Sequence, residues 1–275
     1  MPKLFGGIVI RPPAVAGAFY PGTDSELRVL LQHLTSFPAQ KSRAVALIGP
    51  HAGYIYSGKV AGETYARVEL PDKFIILCPN HTGRGAPVAI MSDGFWRTPL
   101  GEIPIDADLA NQLKKASDLF EEDGIAHQME HSLEVHLPFL QFLKQKFTFV
   151  PINVGTGNLE ALRQIGLAVA KVVAQSTDPV LIISSTDMTH YEPADQARAK
   201  DEKAIQAMLD LDATKLFDTV HHFHISMCGY APTTATLFAA KQLGARRAEL
   251  IRYANSGDVS GDHGSVVGYA GLVIR

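Results

Sequence analysis

The sequence predicts an α/β protein of three layers, in which helices cover both faces of a largely parallel or mixed central sheet. Short runs rich in Val, Ile and Phe, which favour strands, alternate along the chain with longer stretches of helical periodicity. No internal repeat, linker or shift in composition interrupts this alternation. We therefore expect one domain spanning residues 1–275.

The predicted elements follow from apolar runs and from helix start signals. The expected strands are AVALIGPH (44–51), FIILCPNH (74–81), PVAIMSD (87–93), FTFVPINVG (147–155), PVLIISSTD (179–187), AELIRYANSG (248–257) and SVVGYAGLVI (265–274). The expected helices are 24–37, 106–117, 129–146, 158–176, 194–211 and 230–243. Several of these helices begin behind Asp, Asn or Pro, as helices usually do.

Composition and charge narrow the classes of partner and location. The net charge is −3, with no basic block or acidic tail, so we expect neither nucleic acid nor a membrane as a partner and take a small molecule or peptide as the ligand. The amino-terminal residues do not resemble a secretory signal, and no apolar segment reaches transmembrane length. The only cysteines are Cys78 and Cys228, which favours a reducing environment. We expect a cytoplasmic protein.

Imidazole and carboxylate groups close three of the apolar runs. The first ends at His51, the second at His81, and the third at Asp187 and His190. Ligands of open α/β sheets bind beside the carboxyl ends of the strands, so we expect these side chains to lie at one edge. Imidazole suits zinc, iron, copper and nickel, and the pattern predicts a metal site. The alternative is that both histidines are hydrogen-bonded residues without a ligand.

The thiol of Cys228 is a third candidate ligand. It precedes a glycine and the helix that Pro232 opens, and a helix amino terminus favours the thiolate that binds metals and attacks electrophiles. The alternative interpretation is a small buried apolar residue.

The segment MEHSLEVHLPFL adds candidate residues around the site. A helix here would place Glu130 and Glu134 on one face, four residues apart, and His131 in a similar pair with His127. Glu130 and His131 could line the pocket or serve only the core. Two neighbours of the candidate ligands, Tyr54 and Asn80, are further candidates for the pocket wall.

Two other polar tracts are weaker candidates. The run HHFH (221–224) resembles a metal-binding tract, but its members are too close in sequence to converge reliably. The turn-like stretch NSGDVSGDHG (255–264) lacks the spacing of a calcium-binding EF-hand. The sequence also contains no P-loop, no dinucleotide-binding glycine fingerprint and no nucleophile elbow.

Taken together, the motifs resemble the Memo family. They are AGAFYPG, IGPHAGYIYSG, PNHTG, EHSLEVHLPFLQ, SSTDMTHY and MCGYAP, and they occur in order over nearly the whole chain. Relatives carry the label AmmeMemoRadiSam system protein B, which implies a functional association with a radical-SAM protein. The family is similar in fold to class III extradiol dioxygenases, which bind iron(II) through two histidines and one carboxylate.

The resemblance assigns roles to five residues. His51 and His81 match the two family histidines, and Cys228 matches the family cysteine that replaces the dioxygenase carboxylate. Asp187 and His190 match the pair that lines the pocket, with His190 in the place of a catalytic acid or base. Two imidazoles and a thiolate form a softer ligand set, which suits iron(II) or copper and also zinc, so ring-opening dioxygenase activity is not expected.

Three functions remain open from the sequence. The leading hypothesis is a metal-dependent redox protein related to dioxygen chemistry. The second is a non-catalytic module that binds a peptide or small ligand in the same pocket. The third is a hydrolase with Cys228 as nucleophile and His190 as its base.

Overall fold

The computed structural model describes residues 3–5 and 8–275. Its strands are β1 (Lys3–Phe5), β2 (Ile8–Arg11), β3 (Ala46–Gly49), β4 (Lys73–Pro79), β5 (Val88–Ile90), β6 (Phe95–Thr98), β7 (Gly101–Pro104), β8 (Glu121–Glu122), β9 (Thr148–Val154), β10 (Val180–Ser185), β11 (His190–Glu192), β12 (Ala248–Asn255) and β13 (Val266–Ile274). Its α-helices are α1 (Asp24–Thr35), α2 (Tyr54–Tyr65), α3 (Ala107–Ala116), α4 (Leu137–Leu143), α5 (Leu159–Gln175), α6 (Ala194–Leu209), α7 (Ala213–His222), α8 (Tyr230–Gln242) and α9 (Gly257–Ser260). A single 3-10 turn, Glu134–His136, precedes α4.

The large sheet has nine strands and is mixed. Its order is β11-β13-β3-β10-β4-β9-β5-β8, and β12 pairs with β13. The four central strands β3, β10, β4 and β9 are parallel, whereas β13 and β5 flank them antiparallel. A second sheet of four short strands has the order β1-β2-β6-β7. The fold class predicted from the sequence is confirmed.

Alternate residues of the central strands face two separate apolar cores. In β3, Ile48 belongs to the core that includes residues of α5 and α8, whereas Leu47 belongs to the core that includes residues of α1, α2 and α4. This division is expected for a parallel sheet covered on both faces, where strands carry nearly continuous apolar runs. Within the described part of the chain, no helix is both long and apolar enough to cross a membrane.

The segment from 129 to 146 departs from the helix predicted there. Helical structure begins only at the 3-10 turn of Glu134–His136, and α4 ends at Leu143. The four-residue spacing of Glu130 and Glu134 therefore does not place them on one helix face, and that prediction is wrong. The structure also contains α2, α7 and the small sheet, which the sequence pattern did not predict.

Candidate metal centre

Three parallel strands bring polar side chains to one edge of the sheet. Strands β3, β4 and β10 end at Gly49, Pro79 and Ser185, and the candidate residues His51, His81 and Asp187 each follow two positions later. Strand β10 lies between β3 and β4, so the two histidines flank it from either side. The rings of His51 and His81 approach to 5.1 Å between centroids.

Cys228 reaches the same place from the loop before α8. Its Sγ lies 3.2 Å from Nε2 of His51. One ligand atom from each of His51, His81 and Cys228 lies within 4.8 Å of the others. The fold therefore brings together the three side chains that the sequence indicated, in an arrangement that could hold one metal ion.

The other ring nitrogen of His51, Nδ1, already has a hydrogen-bond partner. Nδ1 lies 2.7 Å from the hydroxyl oxygen of Ser185, and the backbone amide donates to Oδ1 of Asp187 over 2.8 Å. The His51 side chain is buried, and this burial together with neighbouring imidazoles lowers its pKa well below the usual value. A neutral imidazole with Nδ1 engaged leaves Nε2 as the ligand atom.

The Glu130 carboxylate holds His81 in the same manner. Oε1 accepts a hydrogen bond from Nδ1 of His81 over 2.9 Å, and Oε2 accepts one from the backbone amide of His81 over 2.6 Å. Burial opposes ionisation of Glu130, but its hydrogen bonds with His81 and Ser132 outweigh burial and lower its pKa to about 2. Burial also opposes protonation of His81, yet Glu130 raises the His81 pKa overall. Nε2 of His81 remains for a metal.

A second group of possible ligands consists of His81, Glu130 and His131. Oε1 of Glu130 additionally accepts hydrogen bonds from the amide of Ser132 over 2.9 Å and from its hydroxyl over 2.7 Å. Oε1 thus accepts three hydrogen bonds and Oε2 one, and we interpret Glu130 as an orienting group. The His131 ring stacks on His81 at 4.8 Å and meets His51 edge-on at 5.5 Å.

Burial disfavours the ionised forms of both Asp187 and Cys228. Burial raises the pKa of Asp187 to about 6, although hydrogen bonds from the backbone amides of His51 and Ala52 act to lower it. Burial and the charge of Asp187 raise the pKa of the Cys228 thiol, although it stands at the start of α8. The expectation that the helix terminus alone would favour a thiolate is wrong. His190 lies on β11, where its Nδ1 is 2.9 Å from the carbonyl oxygen of Ser226.

Tyr54 and Asn80 both make hydrogen bonds within the chain next to the site. Tyr54 is buried, donates its hydroxyl to the carbonyl of Val135 over 2.5 Å and packs against Phe139. Asn80 accepts hydrogen bonds from the hydroxyl of Thr82 and the amide of Gly83, both over 2.9 Å. It therefore shapes the turn that follows His81.

Sequence reasoning missed three residues that support the site. Ser185 contacts His51 directly, Ser132 donates to Glu130, the partner of His81, and Phe19 packs its ring 4.8 Å from that of His131. The available signal was the polar pair Ser184 and Ser185, which closes the apolar run of β10 just before Asp187. The histidines of the HHFH run, in contrast, are exposed and belong to neither group of possible ligands in the described residues.

A sequence model of the family described as Memo-like protein matches residues 11–273. This chain belongs to the Memo family. The chain is 44% identical over 279 aligned positions to the MEMO1 family protein MK0963 of Methanopyrus kandleri, covering 96% of this chain and 99% of that protein. It is 42% identical to a MEMO1 family protein of Methanosarcina barkeri, covering 97% and 100%. The family predicted from the motifs is confirmed.

The fold of this Memo family member also occurs in a more distant protein. The crystal structure of the uncharacterized protein JW3007 from Escherichia coli K12 aligns with a TM-score of 0.58 and 13% sequence identity. The alignment covers 84% of the Memo family chain and 100% of the other chain. This likeness shows a shared fold and carries no information about activity.

Proposed function

We propose that this Memo family protein binds one transition-metal ion through His51, His81 and Cys228 and uses it in redox chemistry related to dioxygen. The convergence of these three donors, one ligand atom each within 4.8 Å, is the observation that carries the proposal. Two imidazoles and a thiolate favour iron(II) or copper and also accept zinc. The bound metal would supply the capacity for electron transfer.

The surroundings of the three donors support a reactive site more than a structural one. Structural zinc sites use four protein ligands, whereas catalytic sites keep three and leave room for a small molecule. Here the group has three members, and its exposure is uneven, with 31% of the His81 side chain accessible and 2% of His51. A small molecule would reach the site from the His81 side.

We assign His190 and Asp187 to proton handling beside the metal. Nδ1 of His190 is held by the Ser226 carbonyl, so Nε2 is the atom that could accept or donate a proton. Asp187 accepts the backbone amide of His51 and thereby fixes the turn that carries this ligand. Sγ of Cys228 lies 3.2 Å from Nε2 of His51, a position that favours metal binding with His51 over a role as nucleophile with His190 as its base.

Metal content tests the proposal directly. The untagged protein is purified as wild type, His51→Ala and Cys228→Ser, and its iron, copper and zinc are quantified. His222→Ala is the matched control, because His222 is exposed and lies outside the candidate group. We expect the wild type and His222→Ala to retain metal and the two ligand variants to lose it. Equal occupancy in wild type and His51→Ala would reject the proposal.

A non-catalytic binding function is the second candidate, and one observation favours it. Exposed apolar side chains stand next in sequence to site residues, with Tyr191 78% and Met129 59% accessible. Such residues suit a peptide or small ligand with apolar surface. Steady oxygen consumption in the presence of a reductant, abolished in Cys228→Ser but not in His222→Ala, would exclude a purely binding role.

A further inference from the structure

A chain of hydrogen bonds leads from His51 away from the candidate metal centre into the core. The Ser185 hydroxyl oxygen lies 2.7 Å from Nδ1 of His51 and 2.9 Å from Nε2 of His136. On the far side, Nδ1 of His136 lies 2.9 Å from the Tyr65 hydroxyl. These four side chains are all buried, so water cannot replace their partners.

The direction of each bond follows from the single proton of the Ser185 hydroxyl. Ser185 donates this proton to the carbonyl oxygen of Ser132 over 2.7 Å, so its oxygen acts as acceptor toward both imidazoles. Nδ1 of His51 and Nε2 of His136 must therefore both carry protons. Nδ1 of His136 is then a lone pair and accepts the proton of the Tyr65 hydroxyl. Each polar atom in the chain has one consistent role.

We propose that Tyr65, His136 and Ser185 are positioning residues that hold His51 in the Nδ1–H tautomer and so present its Nε2 lone pair beside Cys228. The inference deepens the proposed metal centre and rests on it, because only an unprotonated Nε2 can bind a metal. A neutral imidazole in water prefers the other tautomer. The hydrogen bond to Ser185 therefore has to impose the Nδ1–H tautomer, which leaves Nε2 free to bind the metal.

The two histidine ligands are consequently supported by different chemistry. A carboxylate, Glu130, accepts from Nδ1 of His81, whereas a neutral hydroxyl accepts from Nδ1 of His51. An anionic acceptor raises the basicity of its imidazole more than a neutral one does. The centre would thus have one stronger and one weaker imidazole donor, with the weaker donor on the buried side.

Nitrogen NMR of the metal-free protein, labelled with 15N in its histidines, reports the tautomer without any activity measurement. We expect the His51 proton on Nδ1 in the wild type and a shift toward Nε2–H in Ser185→Ala. The matched control is Ser184→Ala, which removes a buried hydroxyl of the same strand that contacts Thr233 instead of a histidine. It should leave the His51 signals unchanged. A wild-type His51 protonated on Nε2 overturns the inference.

Cobalt(II) affinity, measured by competition with a chromophoric chelator, tests the consequence for metal binding. Ser185→Ala should weaken cobalt(II) binding by about 10- to 100-fold, and Ser184→Ala should not. Tyr65→Phe removes the hydroxyl at the far end of the hydrogen-bond chain and should also weaken cobalt(II) binding, but by less than Ser185→Ala. It replaces Ser185→Ala in the test if that variant does not fold. Equal cobalt(II) affinity in wild type, Ser185→Ala and Tyr65→Phe overturns the inference.

The two measurements separate this inference from the function on which it rests. A wild type that binds no cobalt(II), iron or copper would reject the proposed metal centre. The tautomer of His51 in the metal-free protein would still be measurable, and Nδ1–H in the wild type with loss in Ser185→Ala would support the positioning chain.

Discussion

Arg11 and Glu134 form a buried ion pair that ties strand β2 of the small sheet to the segment carrying Glu130. Arg11 also donates to the carbonyl oxygens of His127 over 3.0 Å and Glu130 over 2.6 Å. Glu134 additionally accepts the Tyr20 hydroxyl over 2.5 Å. The position of Glu130, and with it the orientation of His81, therefore depends on a residue far away in sequence.

Glu134→Gln should destabilise the protein strongly. The variant leaves the Arg11 charge buried without a negatively charged partner, and removing one member of a buried pair costs roughly 3–5 kcal/mol. Urea unfolding gives the free energy change. Asp24→Asn is the control, because Asp24 pairs with Arg28 at the surface, where a pair contributes about 0–1 kcal/mol. Similar losses in the two variants would contradict the importance of the buried pair.

Glu130→Gln should weaken metal binding by roughly 10- to 100-fold, because the amide no longer offers two anionic oxygens to His81. Competition with a chelator measures the affinity, and near-ultraviolet circular dichroism checks that the fold persists. Glu160→Gln changes an exposed glutamate paired with Arg163 and should leave the affinity unchanged. An unaltered affinity in Glu130→Gln would show that His81 does not need this partner.

The sequence predicts the strands and the strand-end histidines because both follow general rules. Buried parallel strands require continuous apolar runs, and polar residues that close them must meet at the carboxyl edge. The position of His51 and His81 beside β10 follows from this rule alone. The rule also points to Asp187, since it ends the run of β10 itself.

Long-range partners explain where the sequence misleads. The spacing of Glu130 and Glu134 is typical of a helix, but both side chains are bound by residues from other elements, and the backbone between them is irregular. Helix α2 shows the opposite case, because it forms although the sequence pattern does not predict it. Gly58 and Gly62 lower its helix propensity, yet each lies directly against Leu34 of α1, where a side chain would overlap. Only the packing explains these glycines.

Gly229→Ala should displace Cys228. A methyl group at Gly229 would overlap the carbonyl oxygen of Ser185 and the side chain of Thr186, so the start of α8 would have to move away from β10. We expect about 1–3 kcal/mol lower stability from overpacking and a marked loss of metal affinity. Gly124→Ala, where nothing lies within 4 Å of the added methyl, is the control for both measurements. Retained affinity would show that the loop tolerates the shift.

Acid should destabilise the metal-free protein through its buried histidines, among them His127 and His136. Burial lowers the pKa of His136 to about 3, and burial with the Arg11 charge lowers that of His127 to about 4. In the unfolded chain both titrate at about 6.5, so below this pH the unfolded state binds more protons than the folded state. The stability that neutral histidines provide is complete above pH 6.5 and is lost as pH falls toward the folded pKa values.

The slope of the unfolding free energy against pH measures how much His136 contributes to the destabilisation by acid. Each histidine should contribute about 1.4 kcal/mol per pH unit between pH 6 and about 4. Urea unfolding at several pH values, with chelator in every sample, should therefore give a shallower slope for His136→Gln than for wild type. His222→Gln replaces an exposed histidine and should keep the wild-type slope. Equal slopes for all three proteins would mean that His136 is protonated, or solvated, in the folded state, and the bond direction assigned to Tyr65 would then be wrong as well.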